Sequence, residues 1–198
     1  MDAAELIRKA KSAGRTALTE AESKEVLRSY GVPVVEEAQA SSPQEAAQRA
    51  AGIGFPVVLK GLGARLTHKT ERGLVRLNLK GREEVLQAAE AVADAAGADL
   101  EGFLVQPMLS GRREFVAGLF HDAQFGPVVM FGLGGVFTEA LDDVVFRLAP
   151  FDETCAGRMI DELRASKLLG SFRGEKAADR QALSRALVGL SRLAMEMP

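Results

Sequence analysis

The sequence is poor in several residue types that often mark a function. Its 198 residues include one cysteine, no tryptophan, one tyrosine and two histidines. The single cysteine, Cys155, cannot form a disulfide within the chain, so the sequence predicts a fold without internal covalent cross-links. Because tryptophan is absent and Tyr30 is the only tyrosine, aromatic side chains for stacking on nucleic-acid bases are in short supply.

Long apolar runs and a strong charge of one sign are also missing. No uninterrupted apolar run approaches the roughly 18 residues that a membrane-spanning helix needs. The net charge of -2 gives no positive excess for binding a nucleic-acid backbone. The first residues, MDAAELIRK, lack the basic flank and apolar run of a secretory signal. We therefore expect a cytoplasmic protein that binds neither membranes nor nucleic acids.

The residues that are present suit a globular protein whose first half alternates helices and strands. With 47% apolar and 26% charged residues, the chain can bury a sizeable core in one domain or two small ones. Thr19 and Glu22 predict a capped helix that ends before Gly31. Ser42 and Pro43 predict the start of a second helix. Strands are predicted at VPVVEEAQA, between these two helices, and then at FPVVLK and GLVRLNL, and a long helix at GREEVLQAAEAVADAAG. This alternation is typical of an α/β layer.

The second half is predicted to be mainly strands, followed by helices. The predicted strands are FLVQPML, EFVAGLFHD, GPVVMFGLGGVF and DDVVFRLAPF, and the last predicted helix is DRQALSRALVGLSRLAMEM. Residues 164–176, with two glycines among several charges, predict a loop. The predicted fold class is α+β with an α/β first half. We expect an N-terminal helical extension at 1–17, a first subdomain at 18–100 and a second, mainly antiparallel subdomain at 101–198.

A glycine-rich segment, KGLGARLTHKT, follows the apolar strand FPVVLK. It contains neither GxGxxG nor GxxxxGK[ST], so neither a Rossmann loop nor a Walker A loop is indicated. Lys60 ends the strand, and its ammonium either points at a cleft or ligand or reaches solvent at the strand end. Gly61 and Gly63 allow successive backbone N–H groups to converge on an anion. On spacing alone both interpretations of Lys60 stay open.

A second glycine cluster, FGLGGVFTE, lies at residues 131–139. It allows the backbone to pass close to a ligand, or it forms a tight hairpin between two apolar strands. The acids that follow, Glu139, Asp142 and Asp143, face either a metal-bound nucleotide or solvent. The sequence alone does not choose between these alternatives.

Several of these motifs, taken in order, resemble a known family. FPVVLK, then HKT, RGLVRLNL, FLVQPML and GRREFVAGLFHDAQFGPVVMFGLGGVFTEALDDVVFRLAP are similar to the ATP-grasp portion of NDP-forming acyl-CoA synthetases, the relatives of succinyl-CoA synthetase. The stretch LTEAESKEVLRSYGVPV resembles the start of the same module. The resemblance runs from about Leu18 to Pro150 and continues weakly through the helical tail. It implies an ATP-grasp fold that holds ATP between two subdomains.

The resemblance also implies roles for individual residues at the nucleotide. Lys60 matches the family's inner-strand lysine, which reaches the phosphates. FLVQPM resembles the hinge on the adenine side, with backbone groups around Val105 and Gln106 at the base edge and Met108 as apolar cover. Glu114 matches an acid with a ribose-binding or lysine-orienting role, the alternative being an exposed strand acid.

The two histidines are predicted to differ. His68 matches a second phosphate-relay histidine in the HK[ST] motif of some ADP-forming acetyl-CoA synthetases. An imidazole with an ordinary pKa of about 6.5 has an unprotonated nitrogen that can accept a phosphoryl group near neutral pH. Lys69 would offset charge on that group. The alternative is a loop histidine without chemistry. His121, near a predicted hairpin turn, is interpreted as structural.

The family's reaction joins a carboxylate to CoA with ATP consumed, and it also runs in reverse. The resemblance therefore implies an acid–thiol ligase that uses ATP/ADP and Mg²⁺ and works through phosphohistidine. The CoA-binding and ligase domains with the primary phosphohistidine are missing from this sequence. We therefore expect a partner subunit or domain, through which CoA and a small carboxylate are bound.

Two departures from the family pattern keep alternatives open. Leu74 stands where the family commonly has a small residue, and we expect it to narrow the loop near the phosphates. The family's Mg²⁺ ligands follow the last helix, so they are expected beyond Pro198 and the metal site is unknown. One alternative is a non-catalytic, nucleotide-sensing ATP-grasp module of an acyl-CoA-dependent acetyltransferase or assembly protein. Another is a carboxylate ligase that uses an acyl phosphate, against which His68 argues.

Overall fold

The computed structural model describes residues 2–66, 69–111, 113–135, 143–171 and 174–197. The described helices, in chain order, are α1 (Ala3–Ser12), α2 (Glu20–Ser29), α3 (Pro43–Ile53), α4 (Arg82–Ala96), α5 (Glu153–Asp161) and α6 (Arg180–Glu196). The described strands are β1 (Ala38–Ala40), β2 (Val57–Leu62), β3 (Val75–Leu79), β4 (Gly102–Pro107), β5 (Phe115–Asp122), β6 (Gly126–Leu133) and β7 (Val144–Leu148). The chain forms two compact units, one of Met1–Glu25 with Val34–Ser110 and the other of Val26–Pro33 with Gly111–Pro198.

The helix signals in the first half of the sequence correspond to real caps. In α2, Glu22 N donates to Thr19 Oγ1 at 3.3 Å and Thr19 N donates to Glu22 Oε2 at 2.8 Å, a reciprocal capping box. In α3, Ser42 is the N-cap and accepts from Glu45 N, and Pro43 occupies the first turn. These two helix predictions are confirmed.

The first unit contains a four-stranded sheet in the order β1-β4-β2-β3, and each of these pairings is antiparallel. The alternation of helices and strands in the sequence predicts an α/β layer. In the structure, neighbouring strands of this sheet run in opposite directions. Strand β4 had been assigned by sequence to the second subdomain. It lies between β1 and β2 instead, with Val58 opposite Gln106 and Lys60 opposite Leu104.

Helices α3 and α4 pack against each other and cover this sheet. Their alanine-rich faces allow close approach, and the core that results is fully apolar. Leu74 is 0% exposed and belongs to this core, so its side chain does not extend toward a ligand. The other large core residues include Val57, Leu59, Val85, Val92, Phe103 and Val105.

The second unit contains the antiparallel sheet β5-β6-β7, with α6 packed on β5 and β6 and with α5 packed on α6. Asp122 Oδ1 accepts from the backbone N–H groups of Gln124 and Phe125 and closes the β5–β6 turn. His121 lies at the end of β5, opposite Pro127, next to this turn. The predicted loop at 164–176 contains a short 3₁₀ helix at Ser166–Leu169.

Two glycines are required by close backbone approaches. A Cβ at Gly63 would lie 2.3 Å from Asp99 O, and a Cβ at Gly132 would lie 2.8 Å from Asp143 O. Both contacts are shorter than van der Waals separation, so a larger residue would displace the backbone. In these two places the glycine-rich motifs serve chain packing. In the described part of the chain, no helix is both long enough and apolar enough to cross a membrane.

Candidate functional site: a lysine cluster in the first unit

Strand β2 delivers Lys60 from a buried stretch of sheet. Val57, Val58 and Leu59 before it are 0–6% exposed, whereas the Lys60 side chain is 23% exposed. Its Nζ donates to Glu20 Oε1 at 2.7 Å. The ammonium is thus paired with a carboxylate from helix α2, a contact that the sequence did not suggest, and its contact with a ligand stays a prediction.

Lys24 lies one helical turn after Glu20 and joins the same carboxylate. Its Nζ is 2.9 Å from Glu20 Oε1, 2.5 Å from Glu37 Oε2 and 3.1 Å from Gln106 Oε1. An ammonium has three hydrogens to donate, and these three acceptors match them. Lys24 therefore links helix α2 to strand β4 and to the segment that precedes β1.

The cluster shifts the ionisation of its members. Burial raises the pKa of Glu20, but hydrogen bonds from Lys60 and Lys24 outweigh it and the net pKa is lowered. Burial lowers the pKa of Lys24, and its hydrogen bonds to Glu37 and Glu20 more than reverse that effect. Both groups are accordingly held in their charged forms at neutral pH.

Lys69 adds a third cation to this region. Burial is the main cause that lowers its pKa, nearby Lys60 and Lys24 lower it further, and Glu20 opposes them. Three lysines and two glutamates, Glu20 and Glu37, leave one positive charge in excess. Such a site attracts an anion with several negative charges.

The residues predicted for the adenine side belong to the same unit. Val105 is 0% exposed, and it lies opposite Ala38 on β1 and Leu59 on β2. The Gln106 side chain is held by Lys24, and Met108 N donates to Pro56 O at 3.0 Å. The Met108 side chain is partly exposed. Of the predicted residues, Lys60 and Gln106 are thus linked through Glu20 and Lys24, and Lys69 is near enough for their charges to affect its pKa. Contact of Val105 or Met108 with a base stays a prediction.

Glu114 lies in the second unit. Its backbone oxygen accepts from Gly134 N at 2.8 Å, and a Cβ on Gly135 would lie 3.0 Å from its Oε2. The neighbouring Arg113 donates to the carbonyl oxygens of Leu168, Gly170 and Lys176 and pairs with Glu175. The role predicted for Glu114 stays a prediction.

Of the three acids that follow the second glycine cluster, the described residues include Asp143. Asp143 is 6% exposed, and its two carboxylate oxygens accept from the backbone N–H groups of Arg164 at 2.9 Å and Ala165 at 2.7 Å. It therefore holds a turn of the second unit rather than facing solvent. Glu139 and Asp142 lie outside the described residues.

His68, the predicted relay residue, also lies outside the described residues, although Lys69 beside it is described. Among the residues that the structure describes, no group of three or more His, Cys, Asp or Glu side chains is placed to hold a metal ion. The metal ligands of a nucleotide site therefore stay unassigned.

Sequence analysis missed Glu20, Lys24 and Glu37. The first two are four residues apart on α2, a spacing typical of a helical ion pair, so the Glu20–Lys24 contact was predictable. The contact of Glu20 with Lys60 was not, because 40 residues separate them along the chain.

Comparison with known proteins identifies the family to which this chain belongs. A family model described as an ATP-grasp domain matches residues 9–198, and the chain belongs to this family. The chain is 42% identical over 201 residues to the beta subunit of acetate–CoA ligase [ADP-forming] I of Pyrococcus furiosus. That alignment covers 99% of this chain and 86% of the relative.

Solved structures agree with the sequence comparison. The dinucleotide-forming acetyl-coenzyme A synthetase 1 of Ca. Korarchaeum cryptofilum, in complex with coenzyme A, Ca-AMPCP and HgCl⁺, matches with a TM-score of 0.91 and 43% identity. The match covers 97% of this chain and 86% of that one. A second structure of that enzyme contains coenzyme A and Mg-AMPPCP, and its phosphohistidine segment points towards the nucleotide binding site. It matches with a TM-score of 0.87 and 41% identity over 98% of this chain and 86% of that one. The ATP-grasp fold expected from the sequence is confirmed.

Proposed function

We propose that this chain is the nucleotide-binding subunit of an ADP-forming acyl-CoA synthetase, which converts a carboxylate, CoA and ATP into acyl-CoA, ADP and phosphate. The observation that carries the proposal is the 42% identity to a beta subunit of such a ligase over 99% of the chain. The lysine cluster of the first unit supports it, because its excess positive charge suits the phosphates of ATP.

Each predicted site residue has its own proposed role in nucleotide binding. Lys60 and Lys69 are proposed to contact the phosphates, and the β4 segment from Val105 to Met108 is proposed to receive the adenine. Lys60 already has Glu20 as its carboxylate partner, so we assign Glu114 to the ribose rather than to lysine orientation. Mg²⁺ would neutralise phosphate charge during transfer, as the Mg-AMPPCP complex of a relative suggests.

The second part of the proposal is a phosphate relay. A ring nitrogen of His68 would attack the γ-phosphorus of ATP, forming an N–P bond while the bond from that phosphorus to the bridging oxygen breaks and ADP leaves. A histidine of a partner chain would then attack the same phosphorus, and the N–P bond to His68 would break as the phosphoryl group is transferred. The relative is named a beta subunit, so we infer a partner that binds CoA and the carboxylate and carries the primary phosphohistidine. Lys69 would offset the negative charge of the phosphoryl group while that group is bonded to His68.

A labelling experiment tests the relay. The full-length chain is mixed with its CoA-binding partner and γ-labelled ATP, and acid-labile phosphate on each chain is measured. We expect label on this chain in the wild type and in His121→Ala, the matched control at the only other histidine. His68→Ala should lose the label while retaining ATP binding.

The outcomes separate the alternatives left by the sequence. Label that persists on this chain in His68→Ala would show that His68 is not the relay. No phosphate transfer by the wild-type pair, with ATP still bound, would instead favour a nucleotide-sensing module. Formation of acetyl-CoA from acetate, CoA and ATP by the pair would establish the ligase reaction.

A further inference from the structure

One carboxylate oxygen serves both principal lysines of the site. Glu20 Oε1 lies 2.7 Å from Lys60 Nζ and 2.9 Å from Lys24 Nζ. The contact with Lys60 involves the very ammonium that the proposed function assigns to the phosphates. A carboxylate of the protein therefore occupies part of the phosphate-binding capacity of Lys60.

A phosphate oxygen at the same ammonium would lie close to this carboxylate. Two acceptors that bind one ammonium nitrogen lie roughly 4–5 Å apart, a distance at which like charges repel in a partly buried site. Glu20 and Lys60 are 26% and 23% exposed, so solvent screens this repulsion only in part. Phosphate and carboxylate are thus competitors for Lys60.

Lys24 is a second hydrogen-bond partner for the Glu20 carboxylate. Its side chain is 16% exposed and is fixed by Glu37 and Gln106, and it already donates to the same Glu20 oxygen. If Glu20 moves away from Lys60, its carboxylate stays paired with Lys24. An unpaired carboxylate in a partly buried site would be costly. The geometry therefore permits an exchange in which only the Lys60 contact is given up.

We propose that Glu20 is a built-in competitor of the nucleotide phosphates at Lys60, and that Lys24 retains its carboxylate when the nucleotide binds. This inference rests on the proposed contact between Lys60 and phosphate. It assigns Glu20 a role in setting nucleotide affinity: the carboxylate lowers affinity for ATP by pairing with the ammonium of Lys60.

The test compares two glutamates of the same cluster by titrating ATP into the full-length chain in a calorimeter. Glu20→Gln removes the anion at Lys60, and we expect ATP to bind roughly tenfold more tightly. Glu37→Gln is the matched control. It removes one negative charge from the cluster, as Glu20→Gln does, but Glu37 contacts Lys24. It should change ATP affinity by no more than about threefold. Adenosine, which has no phosphate, should bind equally to all three proteins.

A double-mutant cycle shows whether Glu20 acts through Lys60. In a Lys60→Met background the tenfold gain from Glu20→Gln should fall to about twofold or less. Should Glu20→Gln fold poorly by thermal unfolding, Glu20→Ala is the second variant and carries the same expectation.

Unchanged or weaker ATP binding by Glu20→Gln, or an equal gain in Glu37→Gln, would overturn the inference. If Lys60→Met still weakens ATP binding in that case, the proposed function survives. A wild-type chain that binds no ATP would overturn both.

Discussion

Charged residues are held in different ways in the two units. In the first unit, Lys60, Lys24 and Glu20 bind one another through side chains, and one carboxylate oxygen is shared. In the second unit, Arg113 and Asp143 bind mainly backbone groups: Arg113 donates to three carbonyls, and Asp143 accepts from two N–H groups.

The difference indicates different roles for the same residue types. Arg113 and Asp143 each fix several backbone groups of one folded unit, so removing either side chain leaves those groups without their protein partner. Side chains that share acceptors can exchange one partner for a ligand, as the lysine cluster is proposed to do. Substitutions in the second unit should therefore act mainly on stability, and substitutions at Lys60 and Glu20 mainly on binding.

The largest expected effect on stability comes from Asp143→Ala. It removes the acceptor of the Arg164 and Ala165 N–H groups from a side chain that is 6% exposed. We expect the free energy of unfolding to fall by about 3 kcal/mol, measured by urea denaturation. Asp143→Asn keeps one carbonyl acceptor and should lose less. Equal stability of Asp143→Ala and the wild type would contradict the structural role of this carboxylate.

Arg113→Met should have the next largest effect. The guanidinium donates to the Leu168 and Gly170 oxygens at 2.8 and 2.9 Å and holds the segment that follows α5. We expect a loss of about 2 kcal/mol in unfolding free energy and faster proteolysis of residues 166–176. Arg113→Lys keeps the charge but not the fork of donors, so it should recover little of the loss. Full recovery by lysine would show that charge alone matters.

The smallest effect is expected at Glu22, in the first unit. Hydrogen bonds from Arg15 are the main cause that lowers its pKa to about 2. A lowered carboxyl pKa stabilises the fold fully above the ordinary value of about 4.5, and this contribution is lost as the pH falls toward 2. Glu22→Gln should cost about 1 kcal/mol at pH 7 and almost nothing near pH 2.

The control for that measurement is Glu83→Gln, an exposed acid in the first turn of α4. Its unfolding free energy should follow the wild type closely across the same pH range. A difference between Glu22→Gln and the wild type that does not shrink below pH 4 would show that the Glu22 contacts stabilise the fold without linkage to its charge.

Local sequence signals predicted the secondary structure well. The Thr19–Glu22 capping box, the Ser42–Pro43 helix start and the apolar strand around Lys60 all depend on residues close together in sequence. The strand continues to Leu62, two residues beyond its predicted end at Lys60. Such signals report backbone geometry directly, because capping groups and β-branched runs act within a few residues. The ordered motifs likewise predicted the ATP-grasp fold.

Contacts between distant residues were not predictable in the same way. Strand β4 resembled its neighbours in the second half, yet it pairs with β1 and β2 because its apolar side chains complete the first core. The Lys24–Gln106 bond joins residues 82 positions apart. No local pattern specifies such a bond, since it depends on how the sheet and α2 come together.

The central claim is that Lys60 binds phosphate, and ATP titration of Lys60→Met tests it most directly. The matched control is Arg49→Met, which removes the cation of an exposed Glu–Arg pair on helix α3. We predict that Lys60→Met weakens ATP binding by roughly 30- to 100-fold, that adenosine binding is unchanged, and that Arg49→Met behaves like the wild type. Equal ATP affinity in Lys60→Met and the wild type would contradict the account.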